Sequence, residues 1–200
     1  MADDAALQDK EKRWLLALAR HTLEHLEPAG SEKPPETMLA ADPIPDAVQA
    51  NAGVFVTLRN QSELRGCIGY VAPLMPLYRA VIENTVNAAR KDPRFPPVKK
   101  RELPDLDIEI SVMSPPREIH SVDEIEIGRH GLIVGNEWSH GLLLPQVAQE
   151  YGWNSETFLS QTCRKAGLPA NAWREGDLTI EVFSAQVFSE SEMQKTESEG

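Results

Sequence analysis

Residues 106–112 of LDIEISVM (106–113) alternate apolar and polar side chains without a break. Leu106, Ile108, Ile110 and Val112 point to one side of an extended chain, and Asp107, Glu109 and Ser111 to the other. That pattern predicts a strand with one apolar and one polar face. Two helical stripes accompany it. Leu15, Leu18, Ala19, Thr22, Leu23 and Leu26 form one, ending before Pro28. Tyr78, Val81, Ile82, Thr85, Val86 and Ala89 form the other, with Pro76 near its first position and Pro93 beyond its end.

The segment GVFVTLRNQSELRGCIGY predicts a hairpin, VFVTL and LRGCIGY flanking a polar NQSE turn, with its register left open. Before it, the proline-rich run 27–53 reads as an irregular wrap containing one short helical turn. After Pro115 and Pro116, the segments EIEIG, GLIV and GLLL read as short strands, with GNEWSH turning between the last two. Pro145 opens a short helix that Gly152 closes, and Asn154 or Ser155 caps the next. The stripe of that helix is Phe158, Leu159, Thr162, Cys163 and Ala166, ended by Gly167 and Pro169. DLTIEVFSAQVF reads as a last strand.

Hairpins in place of regular strand–helix–strand alternation predict an α+β fold. The expected partition is a larger antiparallel-sheet domain containing both termini, residues 1–115 and 175–190, and a smaller inserted α+β domain, 116–174. The end of the chain, SESEMQKTESEG, carries four glutamates and one lysine with almost nothing apolar, so 191–200 is expected to be a disordered acidic tail.

The formal charge of −11 over 200 residues argues against general nucleic-acid binding, which needs cations to neutralise phosphates. One basic run, RKDPRFPPVKKR at 90–101, interleaves Phe95 and suits phosphate or single-stranded RNA; cations dressing a helix end before a proline loop is the plainer reading. No apolar run approaches the ~18 residues of a membrane span. The N-terminus lacks the charge–apolar–cleavage order of a signal peptide, so a cytoplasmic protein is expected. HTLEH at 21–25 has the spacing of inverted zinc proteases, but it flanks an apolar stripe and has no evident third ligand, so no metal site is expected.

Chemistry points to the two cysteines. Cys163 lies on an apolar helical stripe and reads as core. Cys67 sits between Gly66 and Gly69, residues that permit close approach of another backbone or a ligand. In a regular strand Arg65 lies on the same face, about 6.8 Å away. At an effective dielectric near 20 it would favour a thiolate by roughly 2.4 kcal/mol. His120, His130 and His140 are candidate bases, His130 being flanked by Arg129 and glycines; Asp107 and Glu109 are candidate orienting groups. The plain alternative is that the glycines admit a helix and Cys67 fills a small hole.

Several spaced motifs then come together: LRGCIG at 64–69, DPRFPP at 92–97, ELP at 102–104, IEIS at 108–111, HGL at 130–132, GLLLPQVA at 141–148, GW at 152–153 and KAGL at 165–168. Through them the chain resembles the AMMECR-one family, and more closely its prokaryotic branch, the AmmeMemoRadiSam system protein A group. The resemblance runs from about Trp14 to Glu190 and implies a larger domain holding both termini plus a smaller one. It implies association with a Memo-like protein and a radical-SAM enzyme in a modification or metabolic pathway, and supplies no cofactor, metal or substrate. It also makes LRGCIG the expected functional segment. An enzyme would use Cys67 with Arg65 as electrostatic partner and His130 as base. A non-catalytic interaction module would instead dock through the RGCIG backbone and RFPP loop, that is Leu64, Gly66, Ile68, Gly69, Arg94, Phe95, Pro96 and Pro97.

Overall fold

The computed structural model describes residues 6–26, 43–175 and 177–198; the greater part of the proline-rich run, 27–42, lies outside the described residues. In chain order the elements are α1 (Asp9–Glu24), β1 (Val54–Asn60), β2 (Glu63–Tyr70), α2 (Leu77–Arg90), β3 (Leu106–Met113), β4 (Arg117–Glu118), β5 (Gly131–Gly135), β6 (His140–Leu143), α3 (Pro145–Glu150), α4 (Ser155–Lys165), β7 (Thr179–Phe183), β8 (Ala185–Ser189) and α5 (Glu190–Ser198). Helices and antiparallel strands make the chain α+β, as expected. Its contacts divide it into two compact units, 1–113 with 186–200, and 114–185.

The first unit is built on a four-stranded sheet ordered β2-β1-β3-β8. β3 alternates as its sequence requires: Leu106, Ile108, Ile110 and Val112 are buried, while Asp107, Glu109 and Ser111 are half-buried. Val56 pairs with Ile110 on one side and Ile68 on the other, which extends the apolar face across three strands. Leu15, Ala19 and Leu23 of α1 and Leu77, Ala80 and Val81 of α2 complete this core.

The hairpin turns through Gln61 and Ser62, both in the left-handed region at φ 50° and 73°. Asn60 pairs with Glu63, so this is a two-residue turn of the kind that matches strand twist and normally selects Asn-Gly. Side chains with a Cβ bear a cost there. Ser62→Gly is expected to raise unfolding stability by about 0.5–1 kcal/mol, read from urea midpoints. The register then shifts: Arg59 opposes Leu64 and Leu58 opposes Gly66, leaving Arg65 as a bulge. A bulge redirects its side chain, so the regular-strand placement of Arg65 beside Cys67 does not apply.

Residues Glu190–Ser198 form a helix, and 199–200 lie outside the described residues. Glu190 accepts the Ile108 N–H at 3.0 Å and the Arg20 Nε–H at 2.9 Å, with a second close contact to Arg20 Nη2. Arg20 also donates to the Leu103 and Leu106 carbonyls at 2.9 and 2.6 Å. Asp107 accepts the N–H and hydroxyl of Ser191 at 3.0 and 2.8 Å and so caps the first turn of α5. Met193 packs on the core. Composition shows little apolar surface to bury; it does not show polar anchoring from a distant strand.

In the second unit a sheet ordered β4-β7-β5-β6 carries Leu132, Val134 and Val182 against Phe158, Leu159 and Cys163 of α4. Asn154 caps α4, its Oδ1 accepting the Thr157 N–H at 2.9 Å. EIEIG is not a strand. Glu124 ends a short 3-10 turn whose carboxylate accepts the His120 and Ser121 N–H groups, and the chain turns again at Gly128, φ +88°. DLTIEVFSAQVF is two strands: β7 pairs with β5 and β4, whereas β8 joins β3. The break falls at Ser184, which exchanges two hydrogen bonds with Ser114. The segment from 175 to 185 therefore belongs to the smaller unit, not the larger.

Candidate functional site

β2 is an edge strand, and Cys67 lies opposite Thr57. The Thr57 hydroxyl donates to Cys67 Sγ at 3.3 Å. The Cys67 N–H donates to Asp92 Oδ2 at 2.9 Å, and its carbonyl accepts from Arg94 Nη2 at 3.2 Å. Antiparallel pairing turns alternate residues of an edge strand outward, where their backbone groups have no neighbour. At Cys67 a carboxylate and a guanidinium take the place of the missing strand.

These two groups also bind each other. Asp92 Oδ1 accepts the Arg94 N–H at 3.1 Å and Nε–H at 2.9 Å, and Oδ2 accepts Nη2–H at 2.7 Å. Asp92 is 3% exposed. Arg94 holds its carboxyl well below the usual carboxylate range, against the opposing effect of burial; the Cys67 N–H adds to the lowering. The Arg94 side chain remains half exposed, 5.6 Å from the Phe95 ring centroid. Its pKa is raised chiefly by Asp92, and Cys67 contributes in the same direction. Thus the DPRFPP segment and the LRGCIG strand form one structure at Cys67.

The glycines answer to packing. A Cβ on Gly66 would lie 2.2 Å from the Ala88 carbonyl oxygen of α2, and one on Gly69 would lie 2.3 Å from the Val54 oxygen and 2.4 Å from Phe55 Cα. Ile68 packs on the core, while Leu64, Pro96 and Pro97 are exposed. Arg65 is taken by Glu102, with Nε to Oε1 at 2.8 Å and Nη2 to Oε2 at 3.3 Å. That pairing, opposed by burial, draws the Glu102 carboxyl down. The cation hydrogen-bonded to Cys67 is therefore Arg94.

His130 lies in the other unit, buried, with Nδ1 accepting the Glu126 N–H at 3.1 Å. An accepting nitrogen carries no proton, so Nε2 carries it in the neutral ring. Burial lowers the pKa of His130, and Glu126 opposes this. Both carboxylates expected as orienting groups are engaged: Asp107 caps α5, and Glu109 binds Arg59 at 3.3 and 3.4 Å. Cys163 is fully buried, and burial pushes its thiol pKa up. The His21 and His25 rings lie 4.0 Å apart, tilted by 33°, but no group of three or more metal-ligating side chains occurs among the described residues. Nor, among them, is any helix long and apolar enough to cross a membrane. Neither Thr57 nor Asp92 stands out as a site residue in the sequence. Cross-strand register identifies the first, and the second stands inside the DPRFPP motif.

The sequence profile of the AMMECR1 family matches residues 16–188. A protein of Methanothermobacter thermautotrophicus is 45% identical over 193 residues, covering 93% of this chain and 97% of the relative. One of Methanopyrus kandleri is 44% identical, covering 92% and 90%. The crystal structure of an uncharacterized protein from Pyrococcus horikoshii superposes with a TM-score of 0.76 at 39% identity, covering 94% of this chain and 95% of that one.

Proposed function

This chain belongs to the AMMECR1 family, and we propose that it serves a modification or metabolic pathway beside a Memo-like protein and a radical-SAM enzyme, acting through a nucleophilic sulfur at Cys67. The carrying observation is the hydroxyl of Thr57 aimed at Sγ while Asp92 and Arg94 hold the peptide of the same residue from both directions. Cys67 is the nucleophile, Thr57 fixes the sulfur, and Asp92 positions Arg94. The half-exposed guanidinium is placed to meet negative charge on a reacting partner. Arg65 supports the strand through Glu102.

Iodoacetamide labelling at pH 7, resolved by peptide mass spectrometry, tests this reading. Cys67 is expected to react faster than N-acetylcysteine, and Thr57→Val to change that rate by about fivefold, the worth of one hydrogen bond. Reaction no faster than the free thiol sinks the nucleophile. A second reading, a non-catalytic docking face formed by the RGCIG backbone and RFPP loop, has its own support: Arg94 is half exposed beside Phe95, and the prolines beyond are exposed. Cys67→Ser distinguishes the two. The docking face keeps its cellular function with serine, and the nucleophile loses it.

A further inference from the structure

The hairpin joining β5 and β6 ends in Trp138, which is 87% exposed. Its backbone is fixed: Asn136 Oδ1 accepts the N–H groups of Trp138 and Ser139, both at 2.9 Å, and the Asn136 N–H returns to the Ser139 carbonyl. A large aromatic side chain held in water on a rigid turn is the residue type that anchors protein interfaces. Beside it lies a cavity of about 360 Å³, with Glu137, His140, Asp177 and Glu181 in its lining. None of its three carboxylates pairs with a cation among the described residues. On the sheet, Glu181 stands directly opposite Glu118, a like-charge pairing that disfavours the strand contact it occupies.

We propose that the β5–β6 tip docks a basic protein segment, Trp138 entering an apolar slot while a lysine or arginine of the partner enters the adjacent cavity. Charge selects this occupant. With a net charge of −11, a second copy of this chain or an anionic membrane would bring like charge to the same carboxylates. The proposal is independent of the sulfur at Cys67.

The test is NMR titration of the full chain with the acetylated, amidated peptide Lys-Leu-Lys-Leu-Lys-Leu. Binding is expected to move the indole resonance of Trp138 and the amide of Glu181, and to weaken as salt is raised. Trp138→Ala and the Glu137→Gln/Glu181→Gln pair should each weaken it about tenfold or more. Trp138 is exposed, so its variant is expected to fold, and an unchanged melting temperature verifies this. Failure of the peptide to move these resonances overturns the proposal. So does equal binding by the variants or by the glutamate counterpart of the peptide. Movement of Trp138 on self-association, or with phosphatidylcholine vesicles in place of the peptide, overturns it as well.

Discussion

Gly66→Ala is expected to destabilise the first unit by about 3 kcal/mol, the upper end of what overpacking costs. The added methyl would sit 2.2 Å from the Ala88 carbonyl oxygen and 3.1 Å from its carbon. Those atoms are backbone of the last turn of α2, so no rotamer change relieves the contact. The last turn of α2 must move away from β2, and that movement loosens Ala88 and Ala89 over the sheet. Gly69→Ala should be comparably costly, because its neighbours are backbone atoms of the adjacent strand. Urea unfolding measures both; a loss for Gly66→Ala below about 0.5 kcal/mol would show that α2 yields freely, and the packing account would fail. Loss of activity in glycine variants of LRGCIG reports on the layer beneath the strand. Substitutions at Cys67, Thr57 and Arg94 interrogate the site itself.

Periodic elements were legible because their side chains state which way they face. β3 and the stripes of α1, α2 and α4 needed only alternation or helical spacing, since burial follows the same period. Where polar side chains determine the backbone, the pattern misleads. EIEIG alternates like a strand, yet Glu124 uses its carboxylate to close a turn. The tail reads as disordered by composition, yet Asp107 and Arg20, more than eighty residues away in sequence, give its first turn partners. The site divides in the same manner. The unusual glycine–cysteine strand was visible, but the bulge that removes Arg65 from Cys67 depends on cross-strand register, which one strand cannot declare. Asp92 belongs to a loop without a period, and its role depends on a backbone N–H twenty-five positions earlier.

Asp92→Ala is expected to cost about 1–3 kcal/mol, the range for leaving a buried donor without its partner. It deprives Arg94 of the carboxylate and leaves the outward N–H of Cys67 without a partner. Arg94→Ala should cost at least as much, about 3 kcal/mol at pH 7, because it leaves the buried Asp92 carboxylate without its cation while Asp92 keeps the Cys67 donor. The double variant should lose less than the sum of the singles, since both act through one contact. The pH dependence has a definite sign. The folded carboxyl titrates well below its unfolded value of about 3.9, so its stabilisation is fully present above that value. As pH falls below 4 the unfolded state binds the proton first, and the stabilisation diminishes until the folded carboxyl also titrates. Asp92→Asn removes this carboxyl from the acid limb of the stability curve. Urea midpoints followed from pH 7 to pH 3 should therefore draw closer for wild type and Asp92→Asn as pH falls below 4, without meeting; parallel curves would place the acid sensitivity elsewhere. The same comparison bears on the sulfur. If Asp92 and Arg94 set the direction of Cys67, its alkylation rate in Asp92→Asn changes at pH 7, where the variant remains folded, and not merely where it unfolds.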